Sequence, residues 1–159
     1  MIRKINQILH PSNLLVSYWA MFWLMNGLDK FFNRTSFALF TWHGKDRTEQ
    51  FSGYFSSSDL PVYLIQPLLY FVGACQIILF FILAIAIFGK TIRPYVSAEC
   101  LKLGLSFSAL IFIAFSFFDV IFGDRAELLE HATFLVLIVV TYIFLVDNKE
   151  LRFFNNLNV

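Results

Sequence analysis

Four charged or titratable side chains near the ends of apolar segments are the residues of this sequence best suited to chemistry. Lys30 closes the apolar stretch 14–32, Asp119 lies about one turn inside the end of another, and Glu130 and His131 begin the next. Histidine and carboxylate side chains can donate to or accept from a carbonyl oxygen and can exchange protons. The set suits a quinone headgroup or a proton relay if the fold brings its members together.

The overall composition predicts an integral membrane protein. Hydrophobic residues make up 58% of the chain and charged residues only 14%, and the mean hydropathy is +0.70. An ordinary soluble domain contains far more charge. A formal net charge of +1 offers no electrostatic basis for nucleic-acid binding, so we expect no nucleic-acid partner.

Apolar runs predict four membrane-spanning helices, near 14–32, 64–88, 98–122 and 128–146. A helix needs about 20 apolar residues to cross the hydrocarbon core of a bilayer. The runs are continuous and lack the apolar–polar alternation of outer-membrane strands. We therefore expect an all-α integral membrane protein, a four-helix transmembrane bundle that forms a single membrane domain over residues 1–159.

The segment 33–60 between the first two predicted spans has a different character. Its ALFTWHGKDRTEQFSGYF stretch mixes aromatic residues with charged ones. This mixture is typical of an amphipathic loop or interfacial helix at the lipid headgroups. The segment would then cover one end of the bundle.

Four spans would place the four candidate side chains on one membrane face. The end of the first span, the end of the third and the start of the fourth share that face. We therefore expect Lys30 to lie level with Asp119, Glu130 and His131, and to pair with Asp119 or Glu130 if the helices face each other.

The distribution of basic residues predicts the orientation. The two tails, the 89–97 loop and its neighbour Lys102 hold seven basic residues, whereas the opposite side holds five over a much longer loop. Basic residues favour the cytoplasmic side, so we expect a multi-pass protein of a bacterial-type inner membrane with both termini cytoplasmic. The first set is Arg3, Lys4, Lys90, Arg93, Lys102, Lys149 and Arg152; the second is Lys30, Arg34, Lys45, Arg47 and Arg125.

Purely structural roles would explain much of this polar layer. Asp124 and Glu127 fit a capping box at the start of the fourth helix. Lys30 can extend its side chain to the interface, with Asp29 as its solvated neighbour. For Asp119, Glu130 and His131 the structural and the functional interpretations both stay open.

Two amides lie deeper in the predicted spans, Asn26 and Gln76. An unpaired amide in lipid is costly, so both should face the bundle interior. We expect them to form inter-helix polar contacts, with ligand binding as the alternative.

No motif for a metal or a resident cofactor appears. The residue three before His131 is Leu128, so the E-x-x-H spacing of a di-iron helix is absent. The sequence also lacks C-x-x-C-H and a Rossmann glycine pattern. We predict no metal site, no catalytic residue and no cofactor of the chain's own, with quinone as the one cofactor to consider.

Several elements together resemble the DoxX-like four-helix membrane proteins over about residues 14–146. They are a first helix ending in the Gly-x-x-Lys element GLDKFF, an amphipathic loop closing with DLP, a second helix reading LYFVGACQIILFFILAIAIFGK, and a tight hairpin between the third and fourth helices. Gln76 stands where many members carry an acidic residue. The resemblance implies a small membrane component associated with quinone-linked or thiol-linked oxidoreductases, whose partner chains carry the metal or flavin.

Three functions are compatible with these observations. The preferred one is an accessory or structural subunit of a larger membrane oxidoreductase or electron-transfer complex, because 21 phenylalanines surround helices without a polar channel-lining face. The second is a quinone-site subunit that uses the polar layer. A small free-standing transporter or channel ranks last, since no span has repeated polar residues or a broken-helix pair. The expected partners are the lipid bilayer and the subunits of a larger membrane complex.

Overall fold

The computed structural model describes residues 10–90 and 92–147, and helices account for most of this part of the chain. The α-helices are α1 (Pro11–Phe32), α2 (Arg47–Ser57), α3 (Ile65–Phe88), α4 (Pro94–Phe122) and α5 (Arg125–Tyr142). A 3-10 turn, Val62–Leu64, precedes α3, and a π-helical turn, Ile143–Asp147, follows α5. Over the described residues the only β pairing is an isolated bridge between Ser36 and Thr41, so the all-α prediction is confirmed. Of the basic residues used for orientation, Arg3, Lys4, Lys149 and Arg152 lie outside the described residues.

Three helical segments are long and apolar enough to cross a membrane. They are Val62–Phe88, Pro94–Phe122 and Arg125–Val146, and they include the second, third and fourth predicted spans. These three segments indicate a multi-pass membrane protein.

The first predicted span, 14–32, is not among them. By length and apolar composition the structure therefore has three candidate spans in its described residues, whereas the sequence predicts four. Residues 14–32 do lie in a continuous helix, α1, of 22 residues. However, α1 carries polar or charged side chains at both ends, and it contains Trp19 and Trp23, whereas the three apolar segments contain no tryptophan. The polar residues of α1 are Ser12, Asn13, Ser17, Asn26, Asp29 and Lys30.

The α4–α5 connection is a tight turn formed by one glycine and one aspartate. Gly123 ends α4 with φ of 74°, a left-handed conformation that glycine adopts without steric cost. The Asp124 amide then donates to the Asp119 carbonyl at 2.9 Å. The Asp124 side chain accepts from the Glu127 amide at 3.0 Å and so caps α5. The C-cap at Gly123 and the N-cap at Asp124 together produce the helical hairpin that the sequence predicts.

The described chain divides into two compact units. The central unit is Tyr18–Phe81, and the terminal unit consists of the residues before Tyr18 and after Phe81. Whether the whole chain forms one membrane domain stays a prediction.

In the central unit, α1 and α3 approach closely where two glycines meet. A Cβ atom added to Gly27 would lie 3.0 Å from the Gly73 carbonyl oxygen, and one added to Gly73 would lie 2.9 Å from Lys30 Cβ. Near this crossing, the rings of Phe31 and Tyr70 stack with centroids 5.2 Å apart. Small residues permit such close approach of helices.

Helix α2 packs against the beginning of α3 in the same unit. Phe55 is buried together with Ile65 and Leu69, and Phe51 and Tyr54 cover them. The predicted amphipathic segment between the first two spans therefore contains a helix with an aromatic, inward-facing side.

In the terminal unit, α4 and α5 pack along each other around Leu105, Phe112 and Ile138, each at most 2% exposed. Ser97 at the start of α4 donates to the Ala86 carbonyl in the last turn of α3 at 2.5 Å. The interior of this unit is therefore mainly aliphatic and aromatic, but Asp119 and Glu127 are also buried in it.

Candidate functional site

The α4–α5 hairpin brings Asp119 and His131 into direct contact. Asp119 lies in the last turn of α4 and His131 in the second turn of α5. His131 Nδ1 and Asp119 Oδ2 are 2.6 Å apart, a short hydrogen bond between side chains that are 16% and 9% exposed. The sequence predicts only that the two residues lie at one level of the membrane; the structure joins them.

Glu127 completes the arrangement on the other side of the imidazole ring. Its Oε2 lies 3.9 Å from His131 Nε2, and its side chain is 9% exposed. The two residues are four apart on α5, which places them on one helix face. The imidazole thus has a carboxylate beside each nitrogen, and we call Asp119, Glu127 and His131 the His131 cluster.

Aromatic rings surround the His131 cluster. The Phe115 ring centroid lies 5.0 Å from that of His131, and the buried Phe112 ring lies 6.2 Å from it. Ser116, one turn before Asp119 on α4, buries its hydroxyl oxygen without a hydrogen-bond partner among the described residues. The site therefore combines a low-polarity wall with an unsatisfied hydroxyl on the same helix, three residues before Asp119.

This arrangement can hold a proton and pass it on. A histidine ring can carry a proton on either nitrogen, and the bond made by one nitrogen determines the role of the other. Asp119 fixes Nδ1, which leaves Nε2 to exchange a proton on the side of Glu127. The 3.9 Å separation exceeds a hydrogen bond, so transfer to Glu127 needs a bridging water or a small rotation.

The other two candidate residues lie elsewhere. Glu130 is exposed on α5. Lys30 belongs to the central unit, where its Nζ donates to the Asn26 carbonyl oxygen at 3.5 Å. The pairing of Lys30 with Asp119 or Glu130 stays a prediction.

The two deep amides behave differently from each other. Asn26 donates to the Phe22 carbonyl of its own helix at 2.9 Å, whereas an inter-helix bond was expected. Gln76 is 4% exposed, and its Oε1 has no hydrogen-bond partner within 10–90 and 92–147.

Sequence reasoning missed two carboxylates. It assigned Glu127 to the cap of the fourth helix and left it out of the candidate site, although the i, i+4 spacing places Glu127 and His131 on one helix face. It took Asp29 for a solvated neighbour of Lys30, yet Asp29 Oδ1 accepts from Trp42 Nε1 at 2.7 Å and Oδ2 from the Lys45 amide at 3.1 Å. We call these two hydrogen bonds of Asp29 the Asp29 clasp. No local sequence pattern predicts them, because the two partners are 13 and 16 residues away along the chain.

The segment following the Asp29 clasp contains a carboxyl group, that of Asp46, whose pKa is shifted. Hydrogen bonds from the Thr48 amide and hydroxyl hold the pKa of Asp46 below its ordinary range, and the charge of Arg34 lowers it further. Asp46 Oδ2 lies 3.9 Å from Arg34 Nη1. The Asp46 carboxylate is the N-cap of α2.

Comparisons with protein-family models, with curated proteins and with solved structures find no match. In the described part of the chain, no group of three or more His, Cys, Asp or Glu side chains is placed to hold a metal ion.

Proposed function

We propose that this chain is a four-span membrane subunit of an oxidoreductase complex, in which the His131 cluster exchanges a proton with a quinone headgroup. The observation that carries the proposal is the imidazole held between two carboxylates at the end of two apolar helices. The sequence resemblance to DoxX-like proteins supports the redox setting. The electron-carrying metal or flavin would belong to partner chains.

Helix α1 would be the fourth span. Its 22 residues are about 33 Å long at 1.5 Å per residue, which matches a hydrocarbon core of about 30 Å. In the terminal unit Lys90, just beyond α3, donates to Asn13 at the start of α1. In the central unit Gly27 of α1 packs on Gly73 of α3. Both contacts support an α1 that runs antiparallel to α3. The distribution of basic residues in the sequence supports cytoplasmic termini in a bacterial-type inner membrane.

The residues of the His131 cluster would have separate roles. A bound quinone would supply the redox chemistry, which consumes protons on reduction. His131 would hold a proton for a headgroup oxygen, Asp119 would orient the ring, and Glu127 would restore the proton afterwards. The unsatisfied Ser116 hydroxyl would donate to a second oxygen.

Substitution of His131 in the purified native complex tests this proposal. We expect His131→Gln and Asp119→Asn to lower quinone-coupled turnover at least about tenfold, because general acid–base groups contribute roughly 100-fold or more. Assembly, measured as subunit stoichiometry, should be unchanged. Glu130→Gln is the matched control, since Glu130 is exposed on the same helix. Unchanged turnover in His131→Gln would refute the proton role.

An accessory, structural role is the second candidate. Only 22% to 28% of the most apolar part of each candidate span is buried within the chain, so much of the apolar surface is available to lipid or partner helices. Deleting the chain should then lower the yield of the complex without changing its metal or flavin content. Purification in mild detergent with mass spectrometry decides whether a partner exists; migration alone and without colour would instead favour a free-standing transporter.

A further inference from the structure

A cavity of about 210 Å³ lies in the central unit, between the end of α1, the start of α2 and the first turns of α3. We call it the interfacial cavity. Its polar wall includes Asn33 and five charged side chains, those of Asp29, Lys30, Lys45, Asp46 and Arg47. Apolar and aromatic side chains line the other side.

The charge of this wall favours an anion. Lys30, Lys45 and Arg47 are cationic, whereas Asp29 and Asp46 are acidic, so one positive charge is in excess. Both carboxylates already accept hydrogen bonds from the protein: Asp29 from Trp42 and Lys45, Asp46 from Thr48. Ammonium and guanidinium groups are the usual ligands of phosphate in proteins.

A second observation indicates that the ligand also carries a hydrogen-bond donor. The side-chain oxygen of Asn33 is buried and has no hydrogen-bond partner among the described residues. A buried acceptor without a partner destabilises the folded state. The oxygen is closed to solvent, so a small rotation of the Asn33 side chain is needed to bring it to an N–H or O–H group of a ligand in the cavity. A bare anion has no such group.

The position of the cavity indicates the source of such a ligand. Gln66, Leu69 and Tyr70 lie in the first turns of α3, at the beginning of the candidate membrane span Val62–Phe88. The ends of a span lie at the depth of the lipid headgroups. The stacked rings of Phe31 and Tyr70 give the cavity an apolar side, against which the glycerol and acyl portion of a lipid can pack.

We propose that the interfacial cavity binds a phosphate ester bearing an N–H or O–H donor, supplied as the headgroup of a phospholipid. The phosphate binds the side of Lys30, Lys45 and Arg47, and the donor binds Asn33. This site is distinct from the His131 cluster and does not depend on the proposed redox role.

Binding to the delipidated, purified full chain tests the proposal by native mass spectrometry. The probes are phosphatidylethanolamine and phosphatidylglycerol, whose headgroups carry donors, and phosphatidylcholine, whose quaternary ammonium has no N–H. We expect the first two to bind at least about fivefold more tightly than the third, because only they satisfy Asn33. Equal binding of all three would overturn the assignment of Asn33.

Two variants connect the binding to the cavity. Lys45→Gln with Arg47→Gln should weaken all three lipids about tenfold or more, since two charge-assisted contacts are lost. Asn33→Ala should reduce the preference for phosphatidylethanolamine over phosphatidylcholine while leaving phosphatidylcholine binding unchanged. Lys102→Gln with Arg125→Gln removes two cations outside the cavity and should bind as the unmodified chain does.

Inorganic phosphate and glycerol phosphate separate the two sources of the ligand. If the lipid is the ligand, neither soluble ion at millimolar concentration displaces it. If a soluble ester binds and no phospholipid does, the lipid source is wrong. Helix content and elution volume verify that each variant is folded, and a folded Lys45/Arg47 variant that retains full lipid binding overturns the proposal.

Discussion

At the scale of single residues, Gly44 lies so close to Asp29 that no methyl group fits between them. A Cβ atom at Gly44 would lie 1.5 Å from Asp29 Oδ1 and 2.9 Å from Trp42 Nε1. Gly44→Ala must therefore break the Asp29 clasp, and we expect a local destabilisation of about 1–3 kcal/mol, typical for hydrogen bonds to a charged group. Hydrogen exchange of the Lys45 amide, which donates to Asp29, measures the local opening free energy.

Gly53 is the matched control for this substitution. It lies within α2, and a Cβ atom there meets nothing within 4 Å. Gly53→Ala should stabilise α2 by about 0.5–1 kcal/mol, because alanine loses less backbone entropy in a helix than glycine does. If both variants have the same effect on Lys45 exchange, the Asp29 clasp does not hold the loop.

The His131–Asp119 bond is expected to be a measurable stabilising interaction. A double-mutant cycle of Asp119→Ala and His131→Ala should give a coupling free energy of about 1–3 kcal/mol in unfolding experiments in detergent. The same cycle with Glu130→Ala in place of Asp119→Ala should give less than about 0.5 kcal/mol. Equal coupling in the two cycles would show that the 2.6 Å contact contributes nothing specific.

Asp46 should make the first turn of α2 sensitive to acid. Its folded-state pKa is lowered, so its contribution to stability is complete above the unfolded pKa of about 4 and is lost as the pH falls through the lower folded value. The amide shift of Thr48 should therefore titrate with a midpoint below the ordinary aspartate value, and Asp46→Asn should abolish this transition. A midpoint at or above the ordinary aspartate value would contradict the expected sign.

The sequence predicts part of the residue-scale picture. Asp119 and His131 could be placed at one membrane level because the hairpin between their helices is short. Their hydrogen bond depends on the rotation of α4 against α5, which packing at Phe112 and Ile138 determines and which no local pattern contains. Asp29 was missed for a similar reason, since its partners follow only after the chain has turned back.

At the scale of elements, Ser97 connects two helices with one hydrogen bond. Its hydroxyl donates to the Ala86 carbonyl, one of the last four carbonyls of α3, which have no partner within that helix. Ser97→Ala leaves this acceptor unsatisfied, and we expect a loss of about 1–2 kcal/mol in the free energy of unfolding. Thermal unfolding in detergent provides the comparison.

Ser108 provides the matched control, because it is also buried but bonds within its own helix. Its hydroxyl donates to the Gly104 carbonyl four residues earlier, which the α4 backbone also uses. Ser108→Ala should therefore change the unfolding free energy by less than about 0.5 kcal/mol. An equal loss in both variants would mean that the inter-helix bond has no special contribution.

Helix boundaries and apolar spans follow from different signals. Pro94 at the start of α4, Gly123 after its end and Asp124 as the next N-cap are local, so the sequence predicts the hairpin well. The apolar length of α3, α4 and α5 is also explicit in the sequence. For α1, polar residues at both ends and its two tryptophans make composition alone insufficient to predict a span, and contacts with α3 are needed.

At the scale of the whole molecule, the side of the membrane on which α1 begins decides whether the chain has three spans or four. If α1 crosses the membrane, Ser12 and Arg93 share one side, and Leu39 and Arg125 share the other. Single cysteines at these positions, with Cys75 and Cys100 replaced by alanine, can be labelled with an impermeant maleimide in intact cells and in inverted vesicles. We expect the two pairs to label from opposite sides, which the Lys90–Asn13 contact favours.

Labelling of Ser12→Cys from the same side as Leu39→Cys would leave three spans, with α1 lying along the interface. Three spans would also place the start of α1 on the same membrane face as the His131 cluster, because the α4–α5 turn and the 33–60 segment share a face in either topology.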